Sequence, residues 1–242
     1  TRGHFLHEGD RTDARYEIIS EFLSLGEEGA VFLATQLPVF DAATMPYAAA
    51  ALGRMKEAKT LPILTGHLKH AKPPVRGLSA AALASFGTGA PVGDLLPLLE
   101  DKETFVRAAA VGAMQQLTPR EAFQPVARLC SDADPDIRRK AVDAVFEISK
   151  KHELEQDLVA TLGSVLDRTQ GVARADLLAA IGRTGKKEAW NIAIPYLRDD
   201  APEVRSAAAV CLGSLGAAEA GDSILSSLQG EREKWPRIHL AV

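Results

Sequence analysis

Hydrophobic and polar residues follow one another along this chain with a helical period, and the pattern recurs about every thirty residues. An arginine stands directly after an apolar or alanine residue, and small or apolar residues follow it at three, four and seven positions. The five segments are VRGLSAAALASFG from Val75, VRAAAVGAMQQL from Val106, IRRKAVDAVFEIS from Ile137, ARADLLAAIGRTG from Ala173 and VRSAAAVCLGSLG from Val204. This spacing places the apolar residues on one face of an α-helix. The pattern therefore predicts five similar helices, which we call B helices.

Two further copies extend the pattern towards the N-terminus. The segment from Ala14 carries Arg15, whereas the segment from Thr44 has Met45 in place of the arginine. The five arginines of the first set follow one another at 31, 31, 36 and 31 residues. The predicted B helices lie near 14–25, 44–55, 75–86, 106–117, 137–149, 173–184 and 204–215.

A shorter apolar segment precedes most of the B helices and predicts a second helix, which we call the A helix. Examples are LPILTGHLKH from Leu61, VGDLLPLLED from Val92 and LVATLGSVLD from Leu158. Gly87, Gly185 and Gly216 fall where a B helix would end in a left-handed cap. The repeating unit is therefore helix A, a short turn and helix B. The five extra residues between Arg138 and Arg174 lengthen either the loop between repeats or an A helix.

Composition and charge argue against several classes of structure and function. Aromatic residues make up 5% of the chain, which together with abundant alanine favours closely packed helices over strands. The net charge of −4 argues against a dedicated nucleic-acid binder. Two cysteines form neither a disulfide framework nor a zinc site, and no apolar run is long enough to cross a membrane. No targeting signal is recognisable, so a cytoplasmic location is expected.

The repeated motif, which reads L-x-D-x4–5-V-R-x2-A-A-x-A-L-G in outline, resembles the short bacterial HEAT repeats of the phycobilisome-lyase type. The resemblance implies an all-α fold, a right-handed α-solenoid of antiparallel helix pairs with about seven repeats. We expect one such array over residues 1–242, with ends that fall inside a repeat. Arrays of this family act as protein–protein interaction scaffolds, which implies the same role here as an adaptor or regulatory domain of a larger protein.

Aspartate recurs six residues before several of the arginines. The pairs are Asp101 and Arg107, Asp132 and Arg138, and Asp199 and Arg205. The two side chains can pair within or between repeats, and the arginine can also bond the free carbonyls at the end of helix A. We interpret these residues as a structural ladder, and the alternative is a basic stripe for an anionic partner. His70 and Arg168 replace the aspartate in two repeats.

The candidate partner-binding residues lie on the side of each B helix opposite its apolar face, at one, two, five and nine positions after the arginine. We call this surface the B face; in HEAT-like arrays it tends to line the concave side. The residues chosen are Tyr47, Leu78, Arg139, Lys140, Asp143, Glu147 and Arg183. A groove with small residues and a charged end suits an amphipathic helix or an extended peptide. The alternative is that neighbouring helices crowd the small residues.

No catalytic or metal-binding motif is recognisable, and we expect no cofactor. His67 and His70 share a helix face, but no carboxylate ligands are arranged around them. A protein or peptide is therefore the expected partner. The first alternative, which rests on the family resemblance alone, is a phycobilin-lyase-like subunit that handles a chromophore. The second is a nucleic-acid binder, which interleaved acidic residues around Arg139 and Lys140 disfavour.

Overall fold

The computed structural model of the chain describes residues 19–230, and within that range the regular secondary structure is helical, with no strand. The all-α fold predicted from the sequence is thereby confirmed. The chain divides into two compact units, one ending at Leu117 and the other beginning at Thr118. The continuity of one array over residues 1–242 stays a prediction.

Unit 1 consists of three pairs of A and B helices in its described part. Its helices are α1 (Gly26–Gln36), α2 (Met45–Met55), α3 (Leu61–His67), α4 (Pro73–Ala84), α5 (Val92–Leu95) and α6 (Thr104–Leu117). The B helices α2, α4 and α6 pack side by side in that order. Of the predicted helix at 14–25, the structure describes residues 19–25, and residues 19–23 are helical.

Unit 2 continues the same alternation. Its helices are α7 (Phe123–Arg128), α8 (Pro135–Lys151), α9 (Glu155–Leu166), α10 (Gly171–Arg183), α11 (Trp190–Ala193), α12 (Pro202–Ser214) and α13 (Gly221–Gly230). The B helices are α8, α10 and α12, which again pack in sequence. Helix α13 is the A helix of a further repeat.

Most B helices begin two residues before the start that the apolar pattern predicts, and in three of them a proline occupies the first helical turn. Pro73, Pro135 and Pro202 open α4, α8 and α12. Proline suits this position because the first backbone N–H groups of a helix have no partner within it. At α8 the Asp134 carboxylate also accepts hydrogen bonds from the backbone N–H groups of Asp136 and Ile137.

The A helices are shorter than the apolar pattern suggests, and prolines again give the reason. Helices α5 and α11 have four residues each, and each passes into a 3-10 segment containing Pro97 or Pro195. Proline lacks the N–H that would continue the α-helical hydrogen bonds, so the chain tightens into a 3-10 turn.

The five extra residues between Arg138 and Arg174 lengthen two helices. Helix α8 has 17 residues, against 14 in α6 and 13 in α10, and the A helix α9 is a continuous helix of 12 residues. From the sequence we expected either a longer loop between repeats or a longer A helix. The longer B helix was not predicted. Lys151, the last residue of α8, donates from Nζ to Thr118 Oγ1 at 2.6 Å, which connects the end of α8 to the start of unit 2.

The hydrophobic core runs between A and B helices and consists mainly of leucine, alanine and valine. Leu52, Leu83 and Ile148 are fully buried on B helices, and Leu64 and Leu162 are fully buried on A helices. Each such leucine or isoleucine contributes about 1.5–3 kcal/mol when it leaves water. Gly87, Gly185 and Gly216 have φ of +61° after their B helices, which confirms the predicted left-handed caps.

Replacing Lys56 with glycine is expected to stabilise the protein. Lys56 follows α2 with φ of 52°, the conformation that glycine adopts at the ends of other B helices. The change removes the steric cost of a side chain in this region, which amounts to about 1 kcal/mol. Urea denaturation measures the gain; glycine at Arg54, inside α2, is the control and should destabilise by about 1 kcal/mol.

Candidate functional site

The candidate site lies on the B face of unit 2, where α8 and α10 run side by side. Helix α8 carries Arg139, Lys140, Asp143 and Glu147, and α10 ends at Arg183. Arg139 and Arg183 are exposed over 69% and 53% of their side chains, and Asp143 over 45%. The structure therefore brings the predicted charged residues of unit 2 onto one accessible surface.

A bulky residue of α8, Phe146, lies against α10 beside Arg183. Eight residues after the repeat arginine, or its equivalent Met45, stand Gly53 and Gly182, and both touch the next B helix closely. A Cβ on Gly53 would lie 2.8 Å from Ser85 Oγ, and one on Gly182 would lie 3.2 Å from Cys211 Cα. In α8 the same position is Phe146. A phenyl ring there keeps α10 further from α8 than a glycine would.

The resulting cleft between α8 and α10 has a volume of about 330 Å³. Its floor is apolar, and charged side chains border it. The lining residues are Pro135, Arg138, Arg139, Val142, Asp176, Ala179, Ala180 and Arg183. The volume lies near the lower end of the range of about 300–1,000 Å³ for ligand pockets, so it suits a side chain or a short peptide segment.

Two ion pairs span the cleft. Arg138 Nε donates to Asp176 Oδ2 at 2.7 Å, and the Arg138 side chain is only 8% exposed. Arg183 Nη2 donates to Asp143 Oδ1 at 3.1 Å, and its guanidinium also lies 4.9 Å from the centre of the Phe146 ring. The two pairs connect α8 with α10, and Val142 and Ala179 belong to the apolar surface that they border.

The remaining predicted partner-binding residues, Tyr47 and Leu78, lie on B helices of unit 1. Both are half-buried. Next to Leu78, Gly77 is buried, and a Cβ there would lie 2.5 Å from the Phe105 ring of α6. Small residues are thus crowded by the next helix at this point, as the alternative interpretation of the B face expects. Phe105 itself is half exposed.

The repeat arginines bond backbone carbonyls of the turn before their own helix. Arg107 Nη1 donates to the Asp101 carbonyl at 3.0 Å, Arg138 Nη1 to the Asp132 carbonyl at 3.0 Å, and Arg205 Nη1 to the Asp199 carbonyl at 2.9 Å. The aspartate carboxylates in turn accept backbone N–H groups two residues further on, at Glu103, Asp134 and Ala201. In these three turns between helices A and B, the arginine therefore binds the backbone carbonyl and the aspartate carboxylate binds a backbone N–H group.

The repeat arginines also reach a carboxylate of the following repeat. Arg76 binds Asp101 through two hydrogen bonds, Nε to Oδ2 at 2.7 Å and Nη2 to Oδ1 at 2.8 Å. Arg174 likewise binds Asp199. The Arg76 guanidinium lowers the pKa of the Asp101 carboxyl below its ordinary range, mainly through these hydrogen bonds.

Asp176 is a member of this ladder that the sequence pattern did not reveal. Its repeat has Arg168 where aspartate is expected, and Asp176 supplies the carboxylate for Arg138 from α10 instead. The sequence sign that another residue pairs with Arg138 was the missing aspartate in the repeat that follows the longer spacing. A carboxylate two residues after Arg174 lies on the neighbouring helix, where Arg138 reaches it.

A second concavity lies on the A-helix side of unit 2, between α7 and α9. It has a volume of about 690 Å³ and is lined by Arg120, Glu121, Phe123, Gln124, Leu154, Asp157, Ala160, Thr161 and Ser164. Gln124 Nε2 donates to Thr161 Oγ1 across it at 3.0 Å. The sequence pattern did not predict this groove, although the longer spacing between Arg138 and Arg174 lies in the same region of the chain.

The described residues contain little that suggests other chemistry. Both cysteines are buried, and burial raises the pKa of the Cys130 and Cys211 thiols to about 12. Among the described residues, no group of three His, Cys, Asp or Glu side chains is placed to hold a metal ion. Within 19–230, no helix is both long and apolar enough to cross a membrane.

Comparison with known proteins supports the repeat assignment. Residues 159–241 match the family model of HEAT repeats. The predicted HEAT-repeat resemblance is confirmed. No curated protein sequence matches the chain significantly.

Similar structures are helical-repeat proteins. A homology model of the full-length AP-3 complex in an intermediate open conformation has a TM-score of 0.61 and 15% identity, covering 98% of this chain and 48% of that chain. The complex of CpcE and CpcF of phycocyanin lyase from Nostoc sp. PCC7120 has a TM-score of 0.46 and 16% identity, covering 98% and 89%. A designed armadillo repeat protein has a TM-score of 0.45 and 20% identity, covering 76% and 99%. The similarity to the first shows a shared fold.

Proposed function

We propose that this chain, with HEAT repeats matched over residues 159–241, is a non-enzymatic scaffold that binds a protein partner through the B face of unit 2. The observation that carries the proposal is the cleft between α8 and α10, with its apolar floor and exposed charged border. Interfaces of this kind combine an apolar centre with a polar rim.

The distribution of charge supports a protein as the partner. One side of α8 carries both signs, since Arg139 and Lys140 are positive and Asp143 and Glu147, further along the helix, are negative. A nucleic acid would require a surface of predominantly one sign, because its phosphates dominate the affinity. A protein surface can match both signs, and such matching steers association and sets the register of the complex.

The direct test exchanges two exposed charges of α8. In the variant Lys140→Glu with Glu147→Lys, the net charge of the protein is unchanged but the pattern on the B face is inverted. We expect the variant to recover at least fivefold less protein partner than the wild type in affinity purification from source lysate, since like charges then face each other. Quantitative mass spectrometry measures the recovery.

The matched control is Arg120→Glu with Glu121→Lys, which exchanges two exposed charges on the A-helix side and also preserves net charge. It should recover the partner as the wild type does. Loss of partner in the control alone would contradict the proposal and indicate the A-helix side. Circular dichroism must show the same helix content in all three proteins.

The chromophore-handling alternative stays a prediction. It is tested by visible absorbance after incubation with a free bilin, where a shifted and intensified band that survives gel filtration would favour it. The nucleic-acid alternative is tested by retention on duplex DNA at low salt, with flow-through expected.

A further inference from the structure

The cleft between α8 and α10 has a specific shape, because charged pairs border an apolar floor. The Arg138–Asp176 pair and the Arg183–Asp143 pair both connect the two helices. Val142, Ala179 and Ala180 contribute apolar lining. A bulky apolar side chain entering the cleft would be surrounded by these groups and desolvated, which is how anchoring residues act at protein interfaces.

The charge of the lining selects the neighbours of such an anchor. Three arginines line the cleft against one aspartate, and that aspartate is bound to the buried Arg138. The partners of the other two arginines, Asp136 and Asp143, are not part of the lining. The border of the cleft therefore presents guanidinium groups, which favour a carboxylate on the incoming segment.

The position of Arg183 suits a contact with a carboxylate of the incoming segment. Its guanidinium stacks over the Phe146 ring at 4.9 Å and is tied to Asp143, so its position is fixed before a partner arrives. A planar guanidinium held in this way loses less freedom when it binds a carboxylate than a free side chain does. More than half of the side chain is exposed, so its remaining N–H groups are accessible.

We infer that the cleft between α8 and α10 binds a protein segment with one bulky apolar residue beside an acidic residue. The apolar side chain enters between the helices, and the carboxylate pairs with Arg183 or Arg139. This inference rests on the proposed function and specifies its ligand. A net negative protein with an arginine-lined cleft thus has a local site for an acidic segment.

The test selects peptides from a phage-displayed library of random twelve-residue sequences on the intact chain. We expect enrichment of sequences with a phenylalanine, leucine or tryptophan next to aspartate or glutamate. Synthetic copies of the enriched peptides, labelled with fluorescein, should bind at least tenfold more weakly to Ala179→Trp, which fills the cleft from an exposed position. Arg183→Gln should also weaken binding by about tenfold, equivalent to about 1.4 kcal/mol.

The matched control is Ala81→Trp, since Ala81 is exposed and stands at the same position of another repeat, five residues after its arginine. It should bind the peptides as the wild type does. Enriched peptides that lack acidic residues, or that bind Ala179→Trp unchanged, would overturn the inference, as would enrichment of no peptide.

The two proposals fail in different ways. If a peptide no longer binds the variant Lys140→Glu with Glu147→Lys but still binds Ala179→Trp, the B face binds protein but the cleft is not the site. If duplex DNA displaces the peptides and binds more tightly, the inference of a protein segment is wrong. If neither variant changes binding, both proposals fail.

Discussion

Replacing Asp101 with alanine should destabilise unit 1 by about 3 kcal/mol. Asp101 and Arg76 are exposed over only 11% and 10% of their side chains, and two hydrogen bonds join them. Removing the carboxylate leaves the Arg76 guanidinium largely buried without its charged partner, and this is the costly part of breaking such a pair. Urea denaturation followed by circular dichroism measures the loss.

The control for this prediction is Arg139→Ala. Arg139 also forms an ion pair, with Asp136, but both side chains are about 70% exposed. Exposed pairs contribute little, so the change should cost below about 0.5 kcal/mol. If Asp101→Ala cost as little stability as this control, the arginines would not form a structural ladder. The interpretation as a basic stripe for an anionic partner would then be favoured.

The Asp101 contribution should depend on pH in a defined direction. Because Arg76 lowers the pKa of the Asp101 carboxyl below its ordinary value of about 4, the ionised form stabilises the folded state. This stabilisation is fully present above pH 4 and is lost as the pH falls through the lowered pKa. The stability difference between the wild type and Asp101→Asn should therefore narrow below pH 4, and a constant difference would contradict the assigned pair.

Replacing Leu212 with alanine should cost about 2–5 kcal/mol. Leu212 lies on the apolar face of α12 and is 1% exposed. The substitution removes buried methyl groups and leaves a cavity that the helices around α12 can close only in part. Chemical denaturation measures the change in the free energy of unfolding.

The control uses the same substitution at an exposed leucine. Leu225 on α13 is 59% exposed, so Leu225→Ala should change stability by below about 0.5 kcal/mol. Similar costs at Leu212 and Leu225 would mean that the helical register assigned to the repeat is wrong.

The sequence was sufficient to predict the repeat because its period is carried by buried residues. A leucine or alanine at three, four and seven positions after Arg205 must face the core, and Ala208, Ala209 and Leu212 do so. The helix starts were displaced because the first two helical residues, which include Pro135 in α8 and Pro202 in α12, are not core residues. The apolar period does not predict these two residues, because they contribute nothing to the core. The prolines could nevertheless be read from the sequence.

The cleft could not be predicted, because it depends on the distance between helices rather than on their faces. Phe146 stands where two other B helices have a glycine in close contact with the next helix, and a phenyl ring there prevents an equally close approach of α10 to α8. Four of the predicted B-face residues lie together on α8, and two of them with Arg183 form or border the cleft. Asp176 and the groove between α7 and α9 were missed, since both involve the repeat that follows the longer spacing between Arg138 and Arg174.

The most direct test of the account is site-specific photo-crosslinking in source lysate, with a benzophenone amino acid at one of two exposed positions. Position 140 lies on the B face of α8, and position 156 lies on the A helix α9. We expect a covalent adduct with a defined protein from position 140, at least fivefold more abundant than any adduct from position 156. Adducts from position 156 alone would contradict the proposal that the B face of unit 2 binds the partner.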